Sequence, residues 1–288
     1  MAELNEHDAE LLAAAVAQLE RPGLAARLAG VVGTPVERLM QRLPDGVQSE
    51  INSATEHALT KALSVAAKTL DDQKPKAPWN LAHKVAATAS GVAGGMFGAP
   101  ALVLELPITT MIILRSIGDI ARSKGEKLSD PETRLACLEV FALGSGDDRR
   151  PGGAIEVLSE GARSEEGLIR VGYFVTRAAL AQQVTAAAEI LTKGSTLVTS
   201  SAMTRLISTI AQRFGIAVSE KVAAQAVPIV GAVGGGIINA LFGDHFQNTA
   251  DAHFTVRMLE RKYGADVVKR DYERIARSEL QRLPTSLE

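Results

Sequence analysis

Residues 85–114 read VAATASGVAGGMFGAPALVLELPITTMIIL, and residues 222–243 read VAAQAVPIVGAVGGGIINALFG. We call these stretches the first tract and the second tract, and Glu105 is the one charged residue that they contain. Neither tract alternates polar and apolar residues as a half-buried β-strand does. Their small and aliphatic side chains therefore predict helices that are buried in a core or face a membrane.

Glycines recur four residues apart within both tracts. On a helix this spacing produces a flat strip at which a second helix can approach closely. We therefore predict that these glycines pack one helix against another. The pairs are Gly91 with Gly95, Gly94 with Gly98, and Gly231 with Gly235.

Prolines limit how far each tract can run as one helix. A helix that crosses a bilayer needs about 20 apolar residues. Pro100 and Pro107 are predicted to break the first tract into pieces of roughly 14 residues, or about 21 Å, which are too short to cross upright. The second tract is long enough to span, but Pro228 and the glycines at 234–236 weaken it as a membrane helix. Two interpretations stay open: hairpins that enter a membrane without spanning it, or a glycine-packed helical core.

The composition excludes several classes of protein. The 288 residues carry a net charge of −2, so no overall basic field is available to hold nucleic acid. The single cysteine, Cys137, excludes a disulfide framework and a multi-cysteine metal site, and its helical position predicts a buried thiol. Aromatic residues make up only 4%, and the abundant alanine and leucine favour helices. We predict no metal and no cofactor.

The chain divides into two predicted regions. Residues 1–70 show the helical spacing of apolar side chains, and the polar, proline-broken stretch 71–78 follows as a connector. Residues 79–280 are predicted to be a helical domain. The predicted fold is an all-α multi-helix bundle with the tracts packed at its centre as two glycine-rich helical hairpins. Further helices are expected from Pro131 to Ala142, with Asp130 as N-cap, and at about 165–191, 195–214, 248–263 and 265–280.

Two blocks of sequence carry a resemblance to a known family. The first block, residues 91–132, combines the glycine-rich run with Glu105-Leu106-Pro107 and ends in Asp130-Pro131-Glu132. The second block, residues 226–264, begins AVPIVGAVGGGIINALFGD and continues with Phe254, Arg257, Leu259, Glu260 and Tyr263-Gly264. Through these blocks, over roughly residues 79–272, the chain resembles the EcsC family.

This resemblance implies an all-helical, membrane-associated bacterial protein that is linked to ABC-transporter or secretion functions. Members of the family usually carry aspartate at the position of Glu105. The resemblance brings no established catalytic residues to this chain.

Glu105 is the first candidate for a chemical role, because a carboxylate within an apolar stretch is costly to desolvate. One interpretation is an acid/base or cation-binding group whose pKa is raised by burial. The other is a cap at the N-terminus of a helix that Pro107 opens. Asn239 in the second tract is placed to hydrogen-bond Glu105 across the hairpins, or to satisfy backbone groups of neighbouring helices.

Two histidines are the other candidates for chemistry. His245 and His253 lie eight residues apart, which does not match the i, i+4 spacing of a helical zinc site. Helical periodicity places His253 on one face with Phe246, Ala250 and Phe254, while Asp244, Asn248 and Asp251 share another. His253 is thus a weak catalytic candidate or a histidine at the edge of a core.

Four residues are candidates for contact with lipid. Arg163, Arg170 and Arg177 recur every seven residues and share one side of a helix, where they contact lipid phosphates or an acidic partner, or form a solvated face. Trp79 precedes the first tract and suits either a membrane-interface anchor or a core tryptophan.

Three function classes remain open from the sequence. The first is a non-catalytic accessory or scaffold protein, cytoplasmic and peripheral or re-entrant at the inner membrane, with membrane lipid, a membrane protein or a second copy as partners. The second is a soluble helical carrier of an apolar or lipid ligand. The third is a hydrolase that uses Glu105 with Asn239 or His253.

Overall fold

The computed structural model describes residues 3–20, 23–43, 46–69, 98–145, 172–192, 200–227 and 231–282. Within these ranges the backbone forms ten helices and no strand, which confirms the predicted all-α bundle. The helices are α1 (Glu6–Glu20), α2 (Leu24–Val32), α3 (Val36–Met40), α4 (Val47–Thr69), α5 (Gly98–Ser123), α6 (Pro131–Leu143), α7 (Gly172–Thr192), α8 (Ser201–Gln225), α9 (Gly231–Tyr263) and α10 (Ala265–Arg282).

Local capping residues set several helix ends. The Asp130 side chain accepts a hydrogen bond from the Glu132 backbone N–H at 3.1 Å, which confirms its predicted role as the N-cap of α6. Ser200 caps α8 in the same way and accepts from the Met203 N–H at 3.3 Å. Gly264 joins α9 to α10 at a φ of +91°, a backbone conformation that side chains disfavour.

The helices run further through the tracts than their prolines and glycines predict. Pro107 lies within α5, so the predicted helix start at this residue is wrong. A proline inside a helix removes one backbone hydrogen bond, and the burial of Leu106 and Pro107 here holds the helical path despite that loss. The predicted end of α8 at residue 214 is also wrong, because the helix continues to Gln225. One helix, α9, covers 231–263 in place of the helix predicted at 248–263.

The helices share two apolar cores. The larger core joins buried side chains of α2 to α9, and the smaller core joins α1, α7, α9 and α10. Residues 1–69 contribute to both, because α4 packs against α5 and α8 while α1 packs against α9 and α10. Within the described ranges, no helix combines the length and the apolar character that crossing a membrane requires.

The described halves of the two tracts lie together. The first tract continues into α5, and the second tract includes the last turn of α8 and the start of α9. Helix α9 packs against both α5 and α8. This arrangement places one end of the bundle, here called the tract end, where α5 and α9 begin and α8 finishes.

Close backbone approach occurs at glycines other than the predicted ones. No described atom lies within 4 Å of the position that a Cβ would take on Gly235, so none of the described residues makes the predicted helix contact there. Gly98 and Gly231 are the first residues of α5 and α9, and Gly91, Gly94 and Gly95 lie outside the described residues. The tightest positions are instead Gly144, where a Cβ would be 2.6 Å from the Phe246 ring, and Gly215.

Candidate functional site

A buried ion pair joins the first tract to α8. The Lys221 Nζ donates a hydrogen bond to Glu105 Oε1 at 2.7 Å. The Lys221 side chain is 1% exposed and that of Glu105 is 19% exposed, so the lysine is the more deeply buried partner. A buried ammonium of this kind is tolerated only with a carboxylate or comparable partner.

A second polar contact lies one helical turn further along α8. The Gln225 Nε2 donates to the Asn239 Oδ1 at 3.3 Å and links the last turn of α8 to α9. Lys221 and Gln225 are four residues apart and therefore share a face of α8. Lys221 also lies 5.1 Å from the centre of the Phe242 ring on α9, a cation–π distance. We call Glu105, Lys221, Gln225 and Asn239 the tract-end cluster.

The tract-end cluster changes the expected role of Glu105. Helix α5 begins at Gly98, one and a half turns or more before Glu105, so Glu105 is not the helix cap that Pro107 predicted. Its hydrogen-bond partner is Lys221, and Asn239 bonds to Gln225 instead of to Glu105. Lys221 was not predicted as the partner of Glu105. The one signal for it in the sequence is that Lys221 is the last charged residue before the second tract.

A different polar cluster is enclosed further along α9. The Tyr173 hydroxyl and His253 Nδ1 are 3.0 Å apart, and the Arg177 guanidinium donates two hydrogen bonds to the Glu260 carboxylate, at 2.7 and 3.1 Å. We call Tyr173, Arg177, His253 and Glu260 the buried histidine cluster. It connects α7 to α9 through side chains 80 or more residues apart in the chain.

Burial and the neighbouring arginines determine the charge of the buried histidine cluster. Burial, helped by the charges of Arg177 and Arg257, holds the pKa of His253 well below its usual range, so the ring is neutral. Its Nε2 has no hydrogen-bond partner among the described residues. Burial also raises the pKa of Glu139, a carboxyl 5% exposed on α6 that feels the charges of the same two arginines.

Aromatic rings enclose the buried histidine cluster. The rings of Tyr173 and Tyr272 stack with their centres 5.3 Å apart, and Phe174 meets both rings edge-on at 5.0 Å. The Tyr272 hydroxyl donates to the Glu20 carboxylate at 2.8 Å and so brings α1 and α10 into the same contact. His253 is fully buried behind these rings, and a substrate reaches it only if helices move apart.

A third set of polar contacts joins the turn between α5 and α6 to α9. Glu126 accepts hydrogen bonds from Arg257 Nε at 2.8 Å and Thr133 Oγ1 at 2.9 Å, and it is also paired with Arg261. Burial alone would raise the pKa of Glu126, but the hydrogen bonds and positive charges of Arg257 and Arg261 lower it below its usual value. Arg257 and Glu260, which carry part of the family resemblance, therefore hold helices together.

The structure does not bring all three catalytic candidates, Glu105, Asn239 and His253, to one place. Asn239 and His253 are 14 residues apart on one helix, which corresponds to about 21 Å. Glu105 belongs to the tract-end cluster beside Asn239 and is therefore remote from His253. Within the described ranges, no group of histidine, cysteine, aspartate and glutamate side chains is arranged to hold a metal ion.

The remaining predicted residues have mixed outcomes. Arg177 is 22% exposed and is ion-paired with Glu260 of the same chain, and its predicted contact with lipid or an acidic partner stays a prediction. The predicted faces of α9 are confirmed, because Asp244, Asn248 and Asp251 are exposed while Phe246, Ala250, His253 and Phe254 are buried. Cys137 is buried as predicted, and burial raises the pKa of its thiol. Trp79, Arg163 and Arg170 lie outside the described residues.

The fold and its polar contacts define a class: over the described residues, an all-helical protein in which the described parts of two charge-poor tracts meet at one end of the bundle. The sequence model of the EcsC protein family matches residues 7–259, and the chain therefore belongs to this family. The match begins within α1 and so includes the N-terminal helices, and it covers the region predicted at 79–280 as far as residue 259. No curated protein and no solved structure matches the chain.

Proposed function

We propose that the protein is a membrane-associated accessory or scaffold protein that contacts the bilayer through the tract end. One observation carries this proposal. Among the described residues, three large apolar side chains are exposed: Ile108 in the first tract, Ile237 in the second tract, and Val31 in α2. Two of the three thus lie in the tracts, whose described halves pack together.

The proposed contact is peripheral or re-entrant. Ile108 and Ile237 are 46% and 45% exposed, and transfer of such side chains into an apolar medium is favourable by roughly 1 kcal/mol each. Two contacts of this size give weak, reversible membrane binding, of the kind that interfacial segments show. A membrane-embedded partner, such as the transporter that the family resemblance implies, strengthens this attachment by binding the same end of the bundle.

Vesicle flotation with the purified full-length chain tests the proposal. We expect the protein to float with phosphatidylcholine vesicles, and the double variant Ile108→Glu/Ile237→Glu to lose at least about tenfold in partitioning, since two charges replace two apolar contacts. The matched control is Val31→Glu, which alters the exposed apolar side chain outside the tracts and should leave flotation unchanged.

Two results would contradict the proposal. One is a wild-type chain that remains at the bottom of the gradient at every lipid concentration. The other is a loss of flotation in Val31→Glu equal to that of the double variant, which would show that the tracts are not the contact. Circular dichroism of each variant confirms that the helices remain folded.

A further inference from the structure

One polar side chain of α5 and one of α9 bond to the same turn of α8. Lys221 binds Glu105, the one charged residue of the tracts, and Gln225 binds Asn239 on the α9 part of the second tract. Because Lys221 and Gln225 are four residues apart, one helical face holds both α5 and α9.

We propose that the tract-end cluster is a clamp that keeps the tracts closed against α8 in water, and that membrane binding requires its release. The part of this inference that concerns membrane binding rests on the proposed function, whereas the clamp itself is a property of the isolated protein. Lys221 also lies over the Phe242 ring, so release frees α9 as well as α5.

The charges of Lys221 and Glu105 determine how the clamp responds when one of them is removed. Lys221 is almost fully buried and Glu105 retains partial contact with water, so the ammonium depends on this carboxylate for compensation. If the carboxylate is neutralised, the buried ammonium regains a partner only by moving into water, and this movement separates α8 from α5. If the ammonium is removed as well, this driving force disappears.

The population of the open form determines the strength of membrane binding. When only an open form binds, the apparent dissociation constant equals the intrinsic constant divided by the open fraction. A variant that raises the open fraction tenfold therefore raises vesicle partitioning about tenfold while the open form remains the minor species.

The test combines amide hydrogen exchange in buffer with flotation on phosphatidylcholine vesicles. We expect Glu105→Gln to exchange faster at residues 98–110 and 231–241 than the wild type and to partition about tenfold more strongly. The double variant Glu105→Gln/Lys221→Met should return both readings to near wild type. Gln225→Leu, which breaks only the weaker contact, should produce a smaller change of the same sign.

The matched control is Glu260→Gln, which neutralises an ion pair of equal 2.7 Å length in the buried histidine cluster. This variant should lower thermal stability without raising vesicle partitioning. The clamp is contradicted if Glu105→Gln and Gln225→Leu leave exchange at the tract end unchanged, or if both accelerate exchange equally throughout the molecule. If instead no variant binds vesicles while exchange follows the expected order, the proposed membrane function fails and the clamp stands.

Discussion

The tract-end cluster and the buried histidine cluster both include residues of α9, but they join this helix to its neighbours through different contacts. The tract-end cluster joins α8 to α5 and α9 through one single ion pair and one amide contact. The buried histidine cluster, about 21 Å further along α9, adds a two-bond ion pair and stacked rings. From this difference we expect the bundle to be held more firmly around His253 than at the tract end.

The largest expected effect comes from removing one cation at each cluster. Arg177→Met leaves the Glu260 carboxylate, which is 14% exposed, without its partner and close to Glu139, and should lower the free energy of unfolding by about 3 kcal/mol. Lys221→Met should cost only about 1 kcal/mol, because this ion pair has one hydrogen bond instead of two and the variant also removes an almost fully buried ammonium.

Urea unfolding followed by circular dichroism measures both values. The comparison between the clusters fails if Lys221→Met costs as much as Arg177→Met. Equal costs would mean that the tract end is anchored as firmly as the buried histidine cluster.

The next effect concerns the close approach of α6 to α9. A Cβ at Gly144 would lie 2.6 Å from an edge carbon of the fully buried Phe246 ring, so Gly144→Ala should destabilise the fold by about 2 kcal/mol. Gly215→Ala is the matched control: its Cβ would meet the end of the exposed Asn52 side chain at 2.7 Å, which can rotate away. Thermal unfolding should therefore separate the two variants, and similar melting temperatures would contradict the packing argument.

Much of the helical architecture was predictable from local patterns, whereas the contacts between helices were not. The Asp130-Pro131 pair and the periodicity of α9 depend on neighbours in sequence, so the cap and the buried face followed from them. The Lys221–Glu105 pair joins residues 116 positions apart, and no local pattern specifies it. In the tracts, the prolines and glycines led to wrong predictions of where helices begin and end. Packing within the bundle maintains helices there that local propensity disfavours.

A smaller effect is the pH dependence of the buried histidine cluster. His253 in the unfolded chain titrates near 6.5, and its native pKa is lower, so the unfolded state binds more protons below that pH. The free energy of unfolding should therefore fall as the pH drops below about 6.5, by up to about 1.4 kcal/mol per pH unit. Tyr173, Arg177, Arg257, Glu139 and Glu260 are the titratable groups around the ring.

Glu139 opposes this trend and must be separated from it. Its native pKa is raised above the ordinary 4.5, so over the interval above 4.5 the native state binds more protons and stability rises as the pH falls. The measurement therefore compares Glu139→Gln with Glu139→Gln/His253→Gln by urea unfolding between pH 7.5 and about pH 5. We expect the second variant to lose the decline below about pH 6.5; identical slopes would show that His253 is not its source.

The smallest expected effect is that of Gly235→Ala, which tests whether a second helix packs closely against Gly235. This residue lies inside α9, and no described atom is within 4 Å of the position that a Cβ would occupy. Glycine costs a helix roughly 0.5–1 kcal/mol relative to alanine, so Gly235→Ala should stabilise the protein by about that amount. A loss of stability on thermal unfolding would instead support the helix contact that the four-residue spacing predicts. It would mean that helices pack as closely at the tract end as they do around Gly144.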